Sequence, residues 1–195
     1  MTNVTSKECL RSSIIEQRKS FDVQDYILSN NQIHSNISKI IIKISKKYKR
    51  NESKKCNLGI YYPLKGEPDL TKLYLLEDFK IALPKIVNSK MLMIQLKSES
   101  ILEQNKPYNI LSPRSGQEII PDILVLPGLA FSIRGYRLGF GSAHYDKYIA
   151  NLKLEKQNIT VIGVCFHEML LEKFNHETHD IMCDLIITDK TIIKY

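Results

Sequence analysis

The stretch from Pro121 to Tyr148, PDILVLPGLAFSIRGYRLGFGSAHYDKY, constrains this chain more than any other. Ile123 to Leu126 is a continuous apolar run bounded by Pro121 and Pro127, the pattern of a short strand buried on both faces. Four of the eight glycines then fall between Gly128 and Gly141. The loop they form carries Arg134 and Arg137 and leads into HYDKYIANLKLEK, where Tyr145, Ile149 and Leu152 recur at helical spacing. A buried strand, a cationic glycine loop and a helix are expected in succession.

Such a unit suits an anion. Glycine lets backbone N–H groups approach a ligand with no Cβ in the way, and the following helix turns its positive end toward the same space. Phosphate is the expected guest: Arg137 offers a planar charged fork, and Asp146 a carboxylate for a magnesium ion bridging phosphate oxygens. The same residues also describe a glycine-rich surface loop with solvated charges, because GxxxGxG matches neither the P-loop nor the dinucleotide fingerprint.

At 195 residues and 43% apolar content the chain is long enough for one substantial core, and one domain is expected over residues 1–195. No 18-residue apolar run occurs, and the polar amino end has no hydrophobic signal core, so a cytoplasmic protein is expected. The formal charge of +7 favours anionic ligands. The lysines are nevertheless scattered, and the run from Lys43 to Lys55 contains only Tyr48 as an aromatic, so neither nucleic acid nor membrane is expected as a partner. Cys9, Cys56, Cys165 and Cys183 form no CxxC pair, which argues against a zinc ribbon or redox dithiol; Cys165 reads as core.

Leu10, Ile14 and Ile15 mark one face of an amino-terminal helix, with Lys7, Arg11 and Arg18 among its charged positions. Lys7 and Arg11 lie one turn apart and share a face, for solvation or for an anion. A second amphipathic helix is expected between Ile33 and Tyr48, then a strand from Leu58 to Tyr62, with Glu67 ahead of a helix whose first turn holds Pro68. Lys80–Leu83 and Met91–Leu96 read as strands separated by a PKIVNSK loop, Thr160–Phe166 as a buried strand, His167–Phe174 as a short helix, and Leu185–Ile187 as a last strand. His176, His179 and Asp180 form an H-x-x-H-D that lacks a third dedicated zinc ligand. The alternation predicts an α/β fold, a three-layer sandwich with a mostly parallel sheet flanked by helices.

The segment PGLAFSIRGYRLGFGSAHYDKY closely resembles the signature of the 5-formyltetrahydrofolate cyclo-ligase (5,10-methenyltetrahydrofolate synthetase) family, PGLAFD, a spacer, then G-x-RLGYGGGYYDRYL. Pro127, Gly128, Leu129, Phe131, Gly135, Arg137, Leu138, Gly139, Gly141, Tyr145, Asp146 and Tyr148 match directly. The resemblance implies ATP-dependent conversion of 5-formyltetrahydrofolate, including polyglutamylated forms, to 5,10-methenyltetrahydrofolate, with Mg2+ and with ADP and phosphate released. It implies an ATP site of Lys7 and Arg11, matching an early K-x-x-x-R pair, with Arg137, Leu138, Gly139, Phe140, Gly141, Ser142, Ala143, His144 and Tyr145. Tyr62 and Glu67 match the family's folate contacts, and Asp146 and Asp180 its magnesium ligands. Met91, Met93 or Tyr108 would line or stack on a pterin, or else pack structurally. No covalent nucleophile is required, so no catalytic residue beyond binding groups is expected, and the protein is expected to act as a monomer or weak dimer. Ser142, Ala143 and His144 depart from the family's GGY, Ser132 replaces its aspartate, and Met169 stands where a glutamine is usual. The alternative expectation is therefore a weakly active or silent relative that binds folate or nucleotide.

Overall fold

The computed structural model describes residues 6–20, 22–48, 55–106, 109–155, 157–177 and 180–195. Tyr108 and His179 lie outside them. The helices are α1 (Lys7–Lys19), α2 (Val23–Tyr48) and α3 (His144–Leu154). The strands are β1 (Cys56–Gly59), β2 (Phe79–Val87), β3 (Lys90–Gln95), β4 (Leu102–Asn105), β5 (Ile110–Pro113) and β6 (Ile123–Leu126). They continue as β7 (Ala130–Ser132), β8 (Arg137–Leu138), β9 (Thr160–Val164), β10 (Leu170–Leu171), β11 (Leu185–Ile187) and β12 (Ile192–Lys194).

Seven strands form the main sheet in the order β12-β11-β9-β6-β1-β2-β3. From β11 to β2 all pairings are parallel, while β3 and β12 close the two edges antiparallel. Successive residues of a strand face opposite sides, so the apolar runs serve two cores. Ile81, Leu83, Ile123, Val125, Ile162 and Val164 pack with Ile33, Ile37 and Ile41 of α2. Ala82, Leu124, Leu126, Val161 and Ile186 pack with Ile14 of α1 and Tyr148, Ile149 and Leu152 of α3. The result is the expected mostly parallel sheet between helical layers.

Chain order fixes where a ligand fits. From β1 the chain moves outward to β2 and β3; it then returns to β6, on the other side of β1, and moves outward the opposite way through β9 and β11. Neighbours whose connections diverge leave a crevice at their carboxyl ends. The segments leaving β1 and β6 are the Tyr61–Glu67 loop and the glycine loop. A second, three-stranded sheet, β10-β7-β8, carries the glycine loop. It sits directly on the main sheet: a Cβ on Gly163 of β9 would overlap the Phe131 ring of β7.

Several local expectations are corrected. PKIVNSK is not a loop, because β2 runs on to Val87 and turns tightly into β3 through Asn88 and Ser89, at φ 49° and 63°. Two left-handed residues suit the twist of a hairpin. Pro84 is tolerated inside β2 because pairing with β1 ends at Ala82. The strand expected to reach Tyr62 ends at Gly59, and the helix after Glu67 is a single 3-10 turn, Thr71–Leu75. His167–Met169 is likewise a 3-10 turn, followed by β10. Arg18, one of the charged positions of the amino-terminal helix, is buried along with Ile14. Cys165 is buried and burial pushes its thiol far up, as a core residue requires. Among the described residues, no helix is long and apolar enough to cross a membrane.

Candidate active site

A cavity of about 420 Å³ opens at the crevice between β1 and β6. Lys7, Arg11, Tyr62, Glu67, the unbroken run Arg137 to Asp146, and Asp180 all line it, so the structure brings together the residues named from sequence for nucleotide, folate contact and magnesium. One part of the wall is charged and comes from α1, the glycine loop, the first turn of α3, and Glu177 with Asp180. The other is largely apolar and comes from Tyr61, Tyr62 and Leu64 after β1, Pro84, Ile86 and Met91 of the β2–β3 hairpin, and Ile110. Met93, by contrast, is core.

In the charged part each cation is already held. Lys7 Nζ lies 2.7 Å from Asp180 Oδ2 and 3.2 Å from Glu177 Oε1. Burial pulls the Lys7 ammonium down, yet these two carboxylates keep it above its ordinary value, so it stays charged. Arg11 Nε donates to the Gly139 carbonyl at 2.9 Å, which ties α1 to the glycine loop. Arg137 Nη2 meets Asp146 Oδ2 at 2.7 Å, and the guanidinium lies 5.3 Å from the Tyr145 ring centre. Its Nη1 reaches Pro127 O only at 3.4 Å, and among the described residues Nε has no partner, so Arg137 retains donor capacity.

The glycines explain how a guanidinium fits there. A Cβ on Gly139 would stand 2.7 Å from Arg137 Nη1, and one on Gly128 would stand 3.1 Å from Arg137 Cγ. Gly141, at φ 109°, needs the conformational freedom itself. Ala143 caps α3 at φ 53° with no side-chain hydrogen bond, so a residue with a Cβ occupies left-handed backbone at the position where the signature that the loop resembles has glycine. The first turn of α3 still faces the cavity and carries Asp146. Ser132 keeps one function of a short polar side chain: its Oγ accepts from Tyr136 N at 3.3 Å and closes the turn below the loop.

In the apolar part the fixed polar group is Glu67, only 2% exposed. Burial raises its pKa, opposed by the Leu64 N–H bonded to Oε2 at 3.0 Å and by Arg18 and Arg137. Its loop is fastened at three points. Tyr26 Oη donates to Glu67 O at 2.9 Å, Tyr61 Oη to Pro68 O at 2.8 Å, and Tyr74 Oη to Tyr61 O at 2.8 Å. Sequence reasoning missed Tyr61, Pro84, Ile86, Ile110 and Glu177; only the hairpin signal Asn88-Ser89 could have brought the β2 and β3 residues to the site. Asp184 is structural, accepting from Val161 N at 2.7 Å.

The donor set can be tested against magnesium. Among the described residues no group of three or more His, Cys, Asp or Glu side chains is arranged for a metal. Asp146 and Asp180 on one cavity do fit the way magnesium is held with nucleotides, by one or two carboxylates, substrate phosphates and water.

Residues 3–189 match the 5-formyltetrahydrofolate cyclo-ligase family. The chain is 28% identical over 165 residues to the probable 5-formyltetrahydrofolate cyclo-ligase of Schizosaccharomyces pombe, covering 73% of this chain and 80% of the relative. It is 30% identical over 131 residues to the 5-formyltetrahydrofolate cyclo-ligase of Mycoplasma genitalium, covering 67% and 71%. The NMR structure of Aquifex aeolicus 5,10-methenyltetrahydrofolate synthetase superposes with a TM-score of 0.74 at 27% identity, over 96% of this chain and 92% of that one. A synthetase structure from Mycoplasma pneumoniae, at 18% identity, shares the fold with a TM-score of 0.70 over 95% and 99%.

Proposed function

The chain belongs to the 5-formyltetrahydrofolate cyclo-ligase family, and from that premise we propose that it converts 5-formyltetrahydrofolate and ATP to 5,10-methenyltetrahydrofolate, ADP and phosphate in this cavity. The observation that carries the reading is the cavity's two-part wall: cations and a glycine loop suited to a triphosphate adjoin tyrosines, aliphatic side chains and one buried carboxylate suited to a pterin. Both substrates share a single enclosure, as a transfer between them requires.

A formamide oxygen is a poor leaving group. Attack by that oxygen on the γ-phosphorus expels ADP and leaves an imidate phosphate. Nitrogen 10 of the folate then attacks the activated carbon, the five-membered ring closes, and the C–O bond breaks to release phosphate. The protein's contribution is positioning and charge neutralisation. Lys7 and Arg11 hold phosphate oxygens, Arg137 uses its unspent donors beside them, and the α3 amino terminus adds oriented N–H groups. Glu67 accepts from the adjacent N–H groups of the aminopyrimidine ring, and Tyr62 flanks the ring. Asp146 and Asp180 would hold magnesium, which when bound neutralises phosphate charge. No side chain forms a covalent bond. The four free cysteines suit a reducing compartment, and we place the reaction in the cytoplasm.

The left-handed Ala143 favours the second reading, a silent relative that binds both ligands without turnover. Mixing purified protein with 5-formyltetrahydrofolate, ATP and Mg2+ separates the two. The active reading requires an ATP-dependent rise in methenyl-folate absorbance that Asp146→Ala and Arg137→Ala abolish. Binding of both ligands with no rise establishes the silent relative.

A further inference from the structure

Helix α1 carries a third cation on the stripe that brings Lys7 and Arg11 to the cavity. Arg18 lies eleven residues beyond Lys7, which returns it to nearly the same face, and Ile14 on that face packs into the core. Unlike the first two cations, Arg18 is almost completely enclosed, at 8% exposure. Enclosing a guanidinium is costly unless its surroundings compensate.

Its contacts join three parts of the site. Nη2 donates to two consecutive carbonyls, Gly128 O and Leu129 O, the latter at 2.9 Å, at the turn where the chain leaves β6 for the glycine loop. The aliphatic stem lies against Gly66: a Cβ there would stand 3.1 to 3.4 Å from Arg18 Cβ, Cγ and Cδ. Gly66 immediately precedes Glu67; burial lowers the Arg18 pKa, and the nearby Glu67 carboxylate opposes that lowering. Nε and Nη1 are buried with no hydrogen-bond partner among the described residues. Arg18 thus has spare donors while touching both loops that build the cavity.

We propose that Arg18 is a positioning residue that clamps the turn into the glycine loop while its charge holds the Glu67 carboxylate in place for the folate. This rests on the reading of the cavity given above. The clamp requires the reach of Nη2, which a lysine ammonium one bond shorter does not match; the support of Glu67 requires only a positive charge.

The test measures equilibrium binding of 5-formyltetrahydrofolate and of a non-hydrolysable ATP analogue, turnover, and urea midpoints for the wild type, Arg18→Met, Arg18→Lys, Glu67→Gln and Glu67→Gln/Arg18→Met. Arg18→Met is expected to weaken folate binding about ten-fold or more, and by less than about two-fold when Glu67 is already Gln. Arg18→Lys is expected to recover most of the folate binding without recovering turnover. A purely structural arginine would instead lower the urea midpoint and leave folate binding unchanged, or lower it equally in both Glu67 backgrounds; either result overturns the proposal. If Arg18→Met fails to fold, a folded Glu67→Gln/Arg18→Met supports the charge pairing, and an unfolded double variant refutes it. Wild type that binds neither ligand overturns the functional reading, while the urea cycle between Arg18 and Glu67 still decides whether the two are coupled.

Discussion

Adding one methyl group at Gly139 would displace the Arg137 guanidinium without removing any charged group. The new Cβ would stand 2.7 Å from Arg137 Nη1 and 3.1 Å from both Cζ and Nη2, where ordinary contact begins at 3.4 Å. The guanidinium must therefore retreat by about 0.7 Å, the difference between 2.7 and 3.4 Å. Gly139 is not in left-handed backbone, so alanine adds no torsional strain. The Arg137 side chain is only 8% exposed and pinned 2.7 Å from Asp146, so it has little room to move and lengthens that ion pair as it does. A misplacement approaching 1 Å costs up to about 100-fold in rate, so about 30- to 100-fold is expected in kcat/KM for ATP. That corresponds to about 2 to 2.7 kcal/mol of lost transition-state stabilisation. Stability should fall by only about 1 kcal/mol, because the obstacle is the end of a side chain rather than backbone. Steady-state absorbance kinetics with each substrate varied in turn, together with thermal unfolding, give both quantities. A folded Gly139→Ala protein whose kcat/KM for ATP lies within about three-fold of wild type would refute the claim that Arg137 acts from this position.

Other positions separate strain, packing and ionisation. Ala143→Gly relieves left-handed backbone at φ 53° and should raise stability by about 0.5 to 1 kcal/mol, read as a Tm increase of a few degrees, with turnover unchanged or higher. Gly163→Ala drives a methyl into the Phe131 ring and should destabilise by about 2 kcal/mol or more in urea titration, loosening the second sheet from the first. Burial raises the Glu67 pKa, so this group favours the fold at acid pH, and that contribution is lost as pH rises from the ordinary carboxyl value of 4.5 through the raised one. Relative to wild type, Glu67→Gln should therefore gain urea resistance as pH rises through that window, while folate affinity falls; a stability difference independent of pH would contradict the assignment.

Chemistry written contiguously was legible in the sequence, and chemistry assembled by topology was not. The glycine loop, Arg137 and the start of α3 occupy one run of residues, so their joint presence on a cavity followed from strand, loop and helix in order. The one-turn spacing of Lys7 and Arg11 gave them a shared face, and only the resemblance to the family's K-x-x-x-R pair gave them a place in the site. In the apolar part of the cavity Tyr62, Glu67 and Met91 were named from sequence, but Pro84 and Ile86 were hidden because Pro84 read as the end of a strand. Pairing to β1 stops two residues before that proline, so it interrupts no ladder bond there. Arg18 read only as one of the charged positions of its helix, because helical periodicity assigns a face but cannot show that Gly66, Gly128 and Leu129 contact it. The edge strand β12 was missed because three residues at the carboxyl end, two of them isoleucine, carry too little pattern to distinguish pairing from a tail.

The proposed reaction requires that one enclosure deliver the γ-phosphorus directly to the formyl oxygen. Labelling that oxygen with oxygen-18 and recording the phosphorus-31 spectrum of the released phosphate tests this in a single turnover. Direct transfer predicts that the phosphate carries the label; unlabelled phosphate accompanying methenyl-folate formation would contradict it.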